Sequence, residues 1–429
     1  MPNIYIQTYG CAANQAESEI MAGLLQKAAY DIVKNIDNAD LIIVNTCWVK
    51  QVSEQRLIFY LKDIQNRYPN KKLIVAGCAP EAAYKKIVDT TPNASLVSTH
   101  HVTKIAQAVQ KTLEGKRIEF LGESREIKLC LPRIRINPVI DIVEIAQGCS
   151  GKCSYCATRL AKGKIFSFPK EKILEEISLS VKNGCKEIWV TTQDTACYGF
   201  DEDGIRLPEL LKEITKILGK FFVRVGMMNP NNVLPMISDL ITAYKNKKIY
   251  KFLHLPVQSG DNEILEKMNR IYKVEDFEEI VKAFKENFRL QLWTDVIAGY
   301  PGETKEQFER TLELIKRVKP DWVNVSKFGS RPNTEAAKLK PLPSGIVKER
   351  SRIASEIVRE ISLEKNKEWM DWKGTVLVSE RGKKPGQWRG RNFAYKPVLV
   401  GSNNNLLGKF VEVKIVEAST SHLMGSIIK

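Results

Sequence analysis

The stretch Ile140–Cys156 reads IDIVEIAQGCSGKCSYC. It begins as a short apolar run of strand type and breaks at Gly148. It then sets Cys149, Cys153 and Cys156 into eight residues. Behind it, EKILEEISLSVKNG has the spacing of an amphipathic helix. Strand, loop and helix make one β/α unit, and the beat recurs from about Val139 to Asn366. The strands EIWVTT, FFVRVG, FLHLPV, LWTDVIAG and WVNVSKF alternate with helical patterns such as LPELLKEITKILG and KEQFERTLELIKRV. Such alternation predicts a parallel sheet. Six units fall short of the eight of a closed barrel. The expected core is an incomplete (β/α)6 barrel whose open side admits a large substrate.

The rhythm changes on either side. Residues 1 to about 120 carry NIYIQTYG, ADLIIVNT and KKLIVAG, which read as buried strands, with an amphipathic segment Ala16–Ala29 after the first. A basic connector, REIKLCLPRIRINP (Arg125–Pro138), joins the two regions. From about Trp372 the helical period vanishes. TVLVSE, QWRGRNFAY, PVLVG, FVEVKIVEAS and HLMGSII read as five short strands of a small antiparallel β-barrel. The expected domains are 1–120 (parallel α/β), 135–365 (partial barrel) and 366–429 (small β-barrel). The fold class is α/β with this β appendage.

The 429 residues carry 43% hydrophobic and 27% charged side chains, as a globular protein does. No apolar run is long enough to span a membrane, and MPNIYIQTYG lacks the form of a signal peptide, so a cytoplasmic protein is expected. The net charge of +16 points to a polyanionic partner. Residues 365–429 hold 12 Lys/Arg against 5 Asp/Glu, with Trp388, Arg389, Arg391, Phe393 and Tyr395 interleaved. That interleaving suits base stacking and phosphate contact. Phe393 and Tyr395 serve equally well as barrel core.

An odd count of nine cysteines argues against a disulfide framework. A closed zinc site wants four ligands, and the Cys149 loop offers three. Three thiolates on an iron–sulfur cluster leave one iron open for a small chelating molecule. Cys11, Cys47 and Cys78 are far apart in sequence, yet each closely follows a predicted strand. If those strands are parallel neighbours, the three thiols converge at one sheet edge. Cys130, Cys185 and Cys197 fit no ligand pattern and read as packing residues. His100 and His101 read as caps or solvent-facing groups. His254 reads as either a ligand contact or a core histidine.

The Cys149–Cys156 spacing, with Tyr155 before the last cysteine, resembles the radical S-adenosylmethionine enzymes. In that family the cofactor binds the open iron, and reductive cleavage releases a 5′-deoxyadenosyl radical. YGCAANQAESE, VNTCWV and VAGCAPE resemble the N-terminal domain of the methylthiotransferase branch, in which this trio holds a second 4Fe–4S cluster. The C-terminal strands resemble a TRAM domain, so the resemblance covers nearly the whole chain. It implies two 4Fe–4S clusters and two molecules of S-adenosylmethionine, one as methyl donor and one as radical source.

Ligands of open α/β sheets sit beyond the carboxyl ends of the strands. Candidate cofactor contacts are therefore Gln193, Asp194 and Gln258, with Phe328 at the end of the sixth strand; DVIAGYPGE resembles that family's Gly-rich element that approaches the adenine, which implies Asp295, Gly299 and Gly302, and Tyr155 of the cysteine motif joins them by the same resemblance. Arg159, Lys162 and Lys164 read either as tRNA phosphate contacts or as a solvated basic face; Trp388, Arg389 and Arg391 are candidate RNA contacts. TTQDTACYGFD, RVGMMNPNNV and FGSRPNTEAAK resemble the archaeal and eukaryotic enzymes acting on N6-threonylcarbamoyladenosine beside the anticodon. The implied partners are the tRNA anticodon stem-loop, a reductant and a sulfur source. Ribosomal-protein aspartate methylthiolation and a non-catalytic iron–sulfur RNA sensor are the alternatives. Positive charge favours tRNA over a basic protein. Deleting residues 366–429 is expected to weaken tRNA binding while radical formation survives.

Overall fold

A computed structural model describes residues 1–48, 51–202 and 204–428. Val49, which ends VNTCWV, and Lys429, which ends the expected third domain, lie outside the described residues. The first sheet comprises β1 (Asn3–Tyr9), β2 (Asp31–Val33), β3 (Leu41–Thr46), β4 (Lys72–Gly77), β5 (Ser95–Ser98) and β6 (Glu119–Phe120). Its order is β2-β1-β3-β4-β5-β6, with every pair parallel. Alternate residues feed two cores. Ile42, Val44 and Val75 pack on one face, and Leu41, Ile43 and Ile74 on the other. Both faces are covered, so the strands read as unbroken apolar runs. The order in which strands are added reverses between β1 and β3, and the carboxyl-end crevice at such a switch point is where ligands bind.

The helix after β1 spans Ala12–Lys27, not Ala16–Ala29. It starts early because Asn14 accepts hydrogen bonds from the Cys11 thiol and backbone N–H, which caps the first turn.

Six further parallel strands form the second layer: β7 (Ile140–Glu144), β10 (Glu187–Thr191), β11 (Phe222–Val225), β12 (Phe252–His254), β13 (Gln291–Ala298) and β14 (Trp322–Lys327). Two strands of two residues each, β8 (Ala146–Gln147) and β9 (Phe166–Ser167), pair across the base of the cysteine loop. The six form two triplets, β11-β10-β7 and β12-β13-β14. A seam joins them where Val223 N–H donates to Lys248 (2.7 Å) and Tyr250 N–H to Val223 (3.0 Å). Among the described residues β7 and β14 do not pair, so the barrel is incomplete. Ala12 and Ala16 of the first helix pack on Ile140, Ile142 and Trp189, so the first layer covers part of the open side.

Residues alternate in this barrel. Ile188, Val223, Leu253 and Leu292 join the core beneath the outer helices. Trp189, Arg224, His254, Trp293, Asp295 and Asn324 fall at the opposite positions, face the lumen and remain partly accessible.

The third unit is a closed barrel of β15 (Lys373–Arg381), β16 (Gln387–Arg391), β17 (Pro397–Gly401), β18 (Phe410–Ala418) and β19 (Leu423–Ile427). It is not wholly antiparallel as expected, since β17 and β19 pair in parallel. Geometry forces this, because strand directions cannot alternate all round a ring of five. The loop after β16 plugs the amino end of the large barrel. Tyr395 packs on Tyr250 and Phe252, and Lys396 forms a buried ion pair with Asp321 (2.7 Å). Deleting 366–429 would therefore unstopper the radical barrel and strand Asp321. The expectation that radical formation survives that deletion does not fit this packing.

Candidate functional site

The Cys149 loop is held from several sides. Gly148 adopts φ +83°, and a Cβ there would lie 2.0 Å from the Lys164 carbonyl oxygen, so only glycine makes this turn. Its N–H donates to the side-chain oxygen of Gln193 at 2.7 Å. Met268, Asn269 and Arg270 clasp the loop's outer side. The Met268 carbonyl accepts from Ser154 N–H (3.0 Å), Asn269 donates to the Lys152 carbonyl (2.7 Å), and Arg270 donates to Cys153 Sγ (3.4 Å). Gly151 N–H donates to Cys149 Sγ at 3.3 Å. A Cβ built on Gly151 would stand 3.4 Å from the sulfur of Cys149 and 3.8 Å from that of Cys153, so a side chain there would fill the space the two sulfurs face. Burial pushes the Cys149 thiol up to about 12, with the Asp194 carboxylate adding to it, and also raises Cys156. These thiols need a cationic partner to ionise. Three thiols around a glycine-kept cradle, with N–H donors on two of the sulfurs, suit an iron–sulfur cluster.

The second trio sits as the strand order requires. Tyr9, Thr46 and Gly77 are in register across β1, β3 and β4, and Cys11, Cys47 and Cys78 come one or two residues later. They therefore share one sheet edge at the switch point. Gly77 has φ +90°, and a Cβ there would meet the Asn45 side chain at 2.3 Å and the Thr46 carbonyl at 2.5 Å. Cys11 is exposed, and Cys47 and Cys78 are buried. Burial raises the Cys78 thiol well above its ordinary value; Lys162 opposes that rise, and Glu17, Cys47 and Cys11 add to it. Among the described residues no three His, Cys, Asp or Glu side chains close round a single metal ion. A four-iron cube makes a different demand, because its thiolates attach to separate irons.

The two trios lie on one seam. The helix Ala79–Ala82 that follows Cys78 packs against the helix Thr158–Lys162 that follows Cys156. Here the sequence reading of Lys162 is corrected. Its side chain is 2% exposed and cannot meet phosphate. It donates to Glu17 (2.8 Å) and Thr99 (2.6 Å), with Glu144 at 3.7 Å. Lys128 donates to the same Glu17 oxygen at 2.8 Å. Burial alone raises Glu17, but Lys128 and Lys162 outweigh it and hold the carboxyl at about 2. Burial opposes the charge on Lys162, yet Glu144, Glu17, Cys78 and Cys11 raise it well above the usual lysine value. His100 and His101 are also buried instead of facing solvent. His100 Nδ1 meets the Gln147 amide at 2.6 Å, beside Gly148.

The remaining candidates divide. Asp194 is buried, and both its oxygens are taken by Ala196, Asn229 and Asn232, so it braces the loop. Burial raises its carboxyl, which those hydrogen bonds oppose. Tyr155 and Phe328 meet in one apolar cluster with Tyr300. Gly299 donates to Glu303 (2.9 Å) and abuts Val347, whereas Gly302, at φ +79°, has open space beside it. Gln258 bridges Val296 through its backbone at φ +70°, and Asp295 binds His254 (2.6 Å) and Asn324 (2.9 Å). Arg159 donates to the Gly151 carbonyl, and Lys164 is exposed. Trp388 is corrected as well. It is 7% exposed in the barrel core, with its indole N–H on the Ser402 carbonyl. Tyr395 is buried, and Phe393 packs on Trp369 and Trp372. Arg389 stays outside, its side chain 43% exposed. Arg391 is half-buried over the Tyr395 ring.

Sequence reasoning missed Met268–Arg270, Glu17 and Arg224. The MNR triplet directly after a helix, and a lone arginine in the apolar run FFVRVG, were the available signals.

Comparison with known proteins gives three family matches. Residues 3–99 match the model described as "Uncharacterized protein family UPF0004", residues 143–315 the Radical SAM superfamily, and residues 374–428 the TRAM domain. The chain is 44% identical, over the full length of both, to the probable threonylcarbamoyladenosine tRNA methylthiotransferase of Pyrococcus horikoshii. It is 33% identical to the threonylcarbamoyladenosine tRNA methylthiotransferase of Homo sapiens, over 98% of this chain and 73% of that one. Among solved structures, the radical S-adenosylmethionine methyltransferase TsrM of Kitasatospora setae superposes with a TM-score of 0.58. It is 13% identical, over 79% of this chain and 75% of that one, and so speaks to the fold alone.

Proposed function

The chain belongs to the radical S-adenosylmethionine methylthiotransferase family, and from that premise we propose that it converts N6-threonylcarbamoyladenosine beside the tRNA anticodon to its 2-methylthio derivative. The observation that carries the reading is the common seam. One cysteine trio ends the first β/α unit of the barrel, the other lies at the switch point of the first sheet, and the helices that follow them touch. Cys149, Cys153 and Cys156 would hold one four-iron cluster, and Cys11, Cys47 and Cys78 a second. Bound there, the clusters and S-adenosylmethionine supply one-electron reduction, hydrogen abstraction from carbon, and sulfur with its methyl group.

The chain's own residues do the positioning. Gln193 fixes the turn at Gly148, and Met268–Arg270 fix the outer side of the loop. Tyr155, Tyr300 and Phe328 form an apolar wall that keeps water from a reactive carbon centre. Lys162 and Lys128 neutralise Glu17 and Glu144 and tie the two layers together. The β-barrel closes the amino end of the lumen, which leaves access from the cysteine side and the open flank. Its basic rim and the chain's charge of +16 suit tRNA. The polynucleotide, the base, the cluster count and the cytoplasmic location belong to this proposal, as do the reductant and the sulfur source.

The test is nucleoside analysis of bulk tRNA from cells with and without the gene. 2-Methylthio-N6-threonylcarbamoyladenosine should disappear from the deficient cells. Its persistence there, with a methylthio group lost from a ribosomal-protein aspartate instead, would transfer the chemistry to the other substrate.

A further inference from the structure

Arg224 stands in the middle of β11 and faces the lumen, level with Trp189 on β10. Its guanidinium lies 5.1 Å from the Trp189 ring, 5.2 Å from Phe252 and 5.5 Å from Tyr395. Three ring faces offset part of the charge but accept no hydrogen bonds in the guanidinium plane. Nε is buried without a hydrogen-bond partner. Glu187, on the same strand face as Trp189, is engaged elsewhere: it accepts from the Trp189 indole (2.6 Å) and the Tyr250 hydroxyl (3.1 Å). Among the described residues Arg224 thus forms no ion pair, although it is flanked by three aromatic rings, one of which, Tyr395, Arg391 also overlies. An arginine in such a place matches a planar anion that accepts two parallel hydrogen bonds.

We propose that Arg224 binds the carboxylate of the substrate's N6 substituent and so selects an adenosine bearing an anionic side chain over one bearing an apolar one. This rests on the proposed substrate and deepens it. The threonylcarbamoyl group ends in a free carboxylate, and it leaves the purine at a different ring position from C2. The substituent can therefore descend into the lumen while C2 stays at the carboxyl ends of the strands, where Cys149 lies. An apolar N6 substituent would leave the guanidinium unpaired, and such a loss discriminates strongly.

The experiment uses the full-length, cluster-loaded protein with anticodon stem-loop RNAs carrying either N6-threonylcarbamoyladenosine or its methyl ester. Wild-type kcat/KM for methylthiolation should fall by about 100-fold or more on the ester. Arg224→Met, with iron content and Tm checked, should treat the two RNAs alike. Arg224→Lys should recover only part of the preference, because the two-pronged geometry is gone. Equal wild-type rates on acid and ester, or full discrimination retained by Arg224→Met, would overturn the assignment while leaving the substrate in place. Failure of the wild type to methylthiolate either RNA while it still cleaves S-adenosylmethionine would overturn the substrate reading, and this assignment with it.

Discussion

Glu17 is the buried carboxylate by which the first layer is tied to the radical barrel. Two buried ammoniums, Lys128 and Lys162, share one of its oxygens. Glu17→Gln removes the charge and leaves both lysines to Glu144. Removing one member of a buried pair costs about 3–5 kcal/mol, so the cluster-free protein should lose about 3 kcal/mol in a denaturant titration at neutral pH. The sign with pH follows from the carboxyl being lower in the fold, about 2, than its ordinary 4.5. The contribution is complete above 4.5 and drains away as pH falls toward 2. Wild-type stability should drop through that window, and the Glu17→Gln protein should drop less. Parallel curves would show that Glu17 contributes nothing to the tie. At this scale the cysteines were legible, because a thiol next to a strand end inherits the strand's place. Lys162 was not. Its charge is visible in the sequence, but its partner Glu17 is 145 residues away and nothing local marks the burial.

Elements were more readable than the contacts between them. Period and composition gave the six β/α beats and the five final strands. The early start of the helix Ala12–Lys27 depended on a cap that thiol and amide make together. Strand β16 shows a signal that was present and misread. In QWRGR, Trp388 and Gly390 face inward while Arg389 and Arg391 lie on the outer face, a plain period of two. Under the proposed function the surface this barrel would offer to RNA is its basic rim and not Trp388. Reversing Lys383, Lys384 and Arg389 together to Glu should weaken tRNA binding. Each lost phosphate contact should flatten the logarithmic salt slope by roughly 0.7–0.9. Cleavage of S-adenosylmethionine without tRNA should be unaltered, since none of the three touches the cysteine seam. A Kd and slope equal to wild type would take this rim out of the interface.

The whole molecule is organised by two sheets whose carboxyl-end helices, Ala79–Ala82 and Thr158–Lys162, pack on each other. The parallel order β2-β1-β3-β4 supplies one edge, and the curled second sheet supplies the other. The sequence permitted the convergence of Cys11, Cys47 and Cys78 only on the condition that their strands be parallel neighbours, and β1, β3 and β4 meet it. What no local pattern could supply was how the layers dock, because docking rests on pairs such as Glu17 with Lys162 and Asp321 with Lys396 that span the chain. Under the proposed function each edge holds its own cluster. An anaerobic iron and sulfide count tests it most directly, made on the reconstituted wild type and on two variants with one trio each changed to alanine. About eight irons and eight sulfides per chain are expected for the wild type and about four of each for either variant. A wild type holding about four, all lost with Cys149, Cys153 and Cys156 and none lost with Cys11, Cys47 and Cys78, would contradict it.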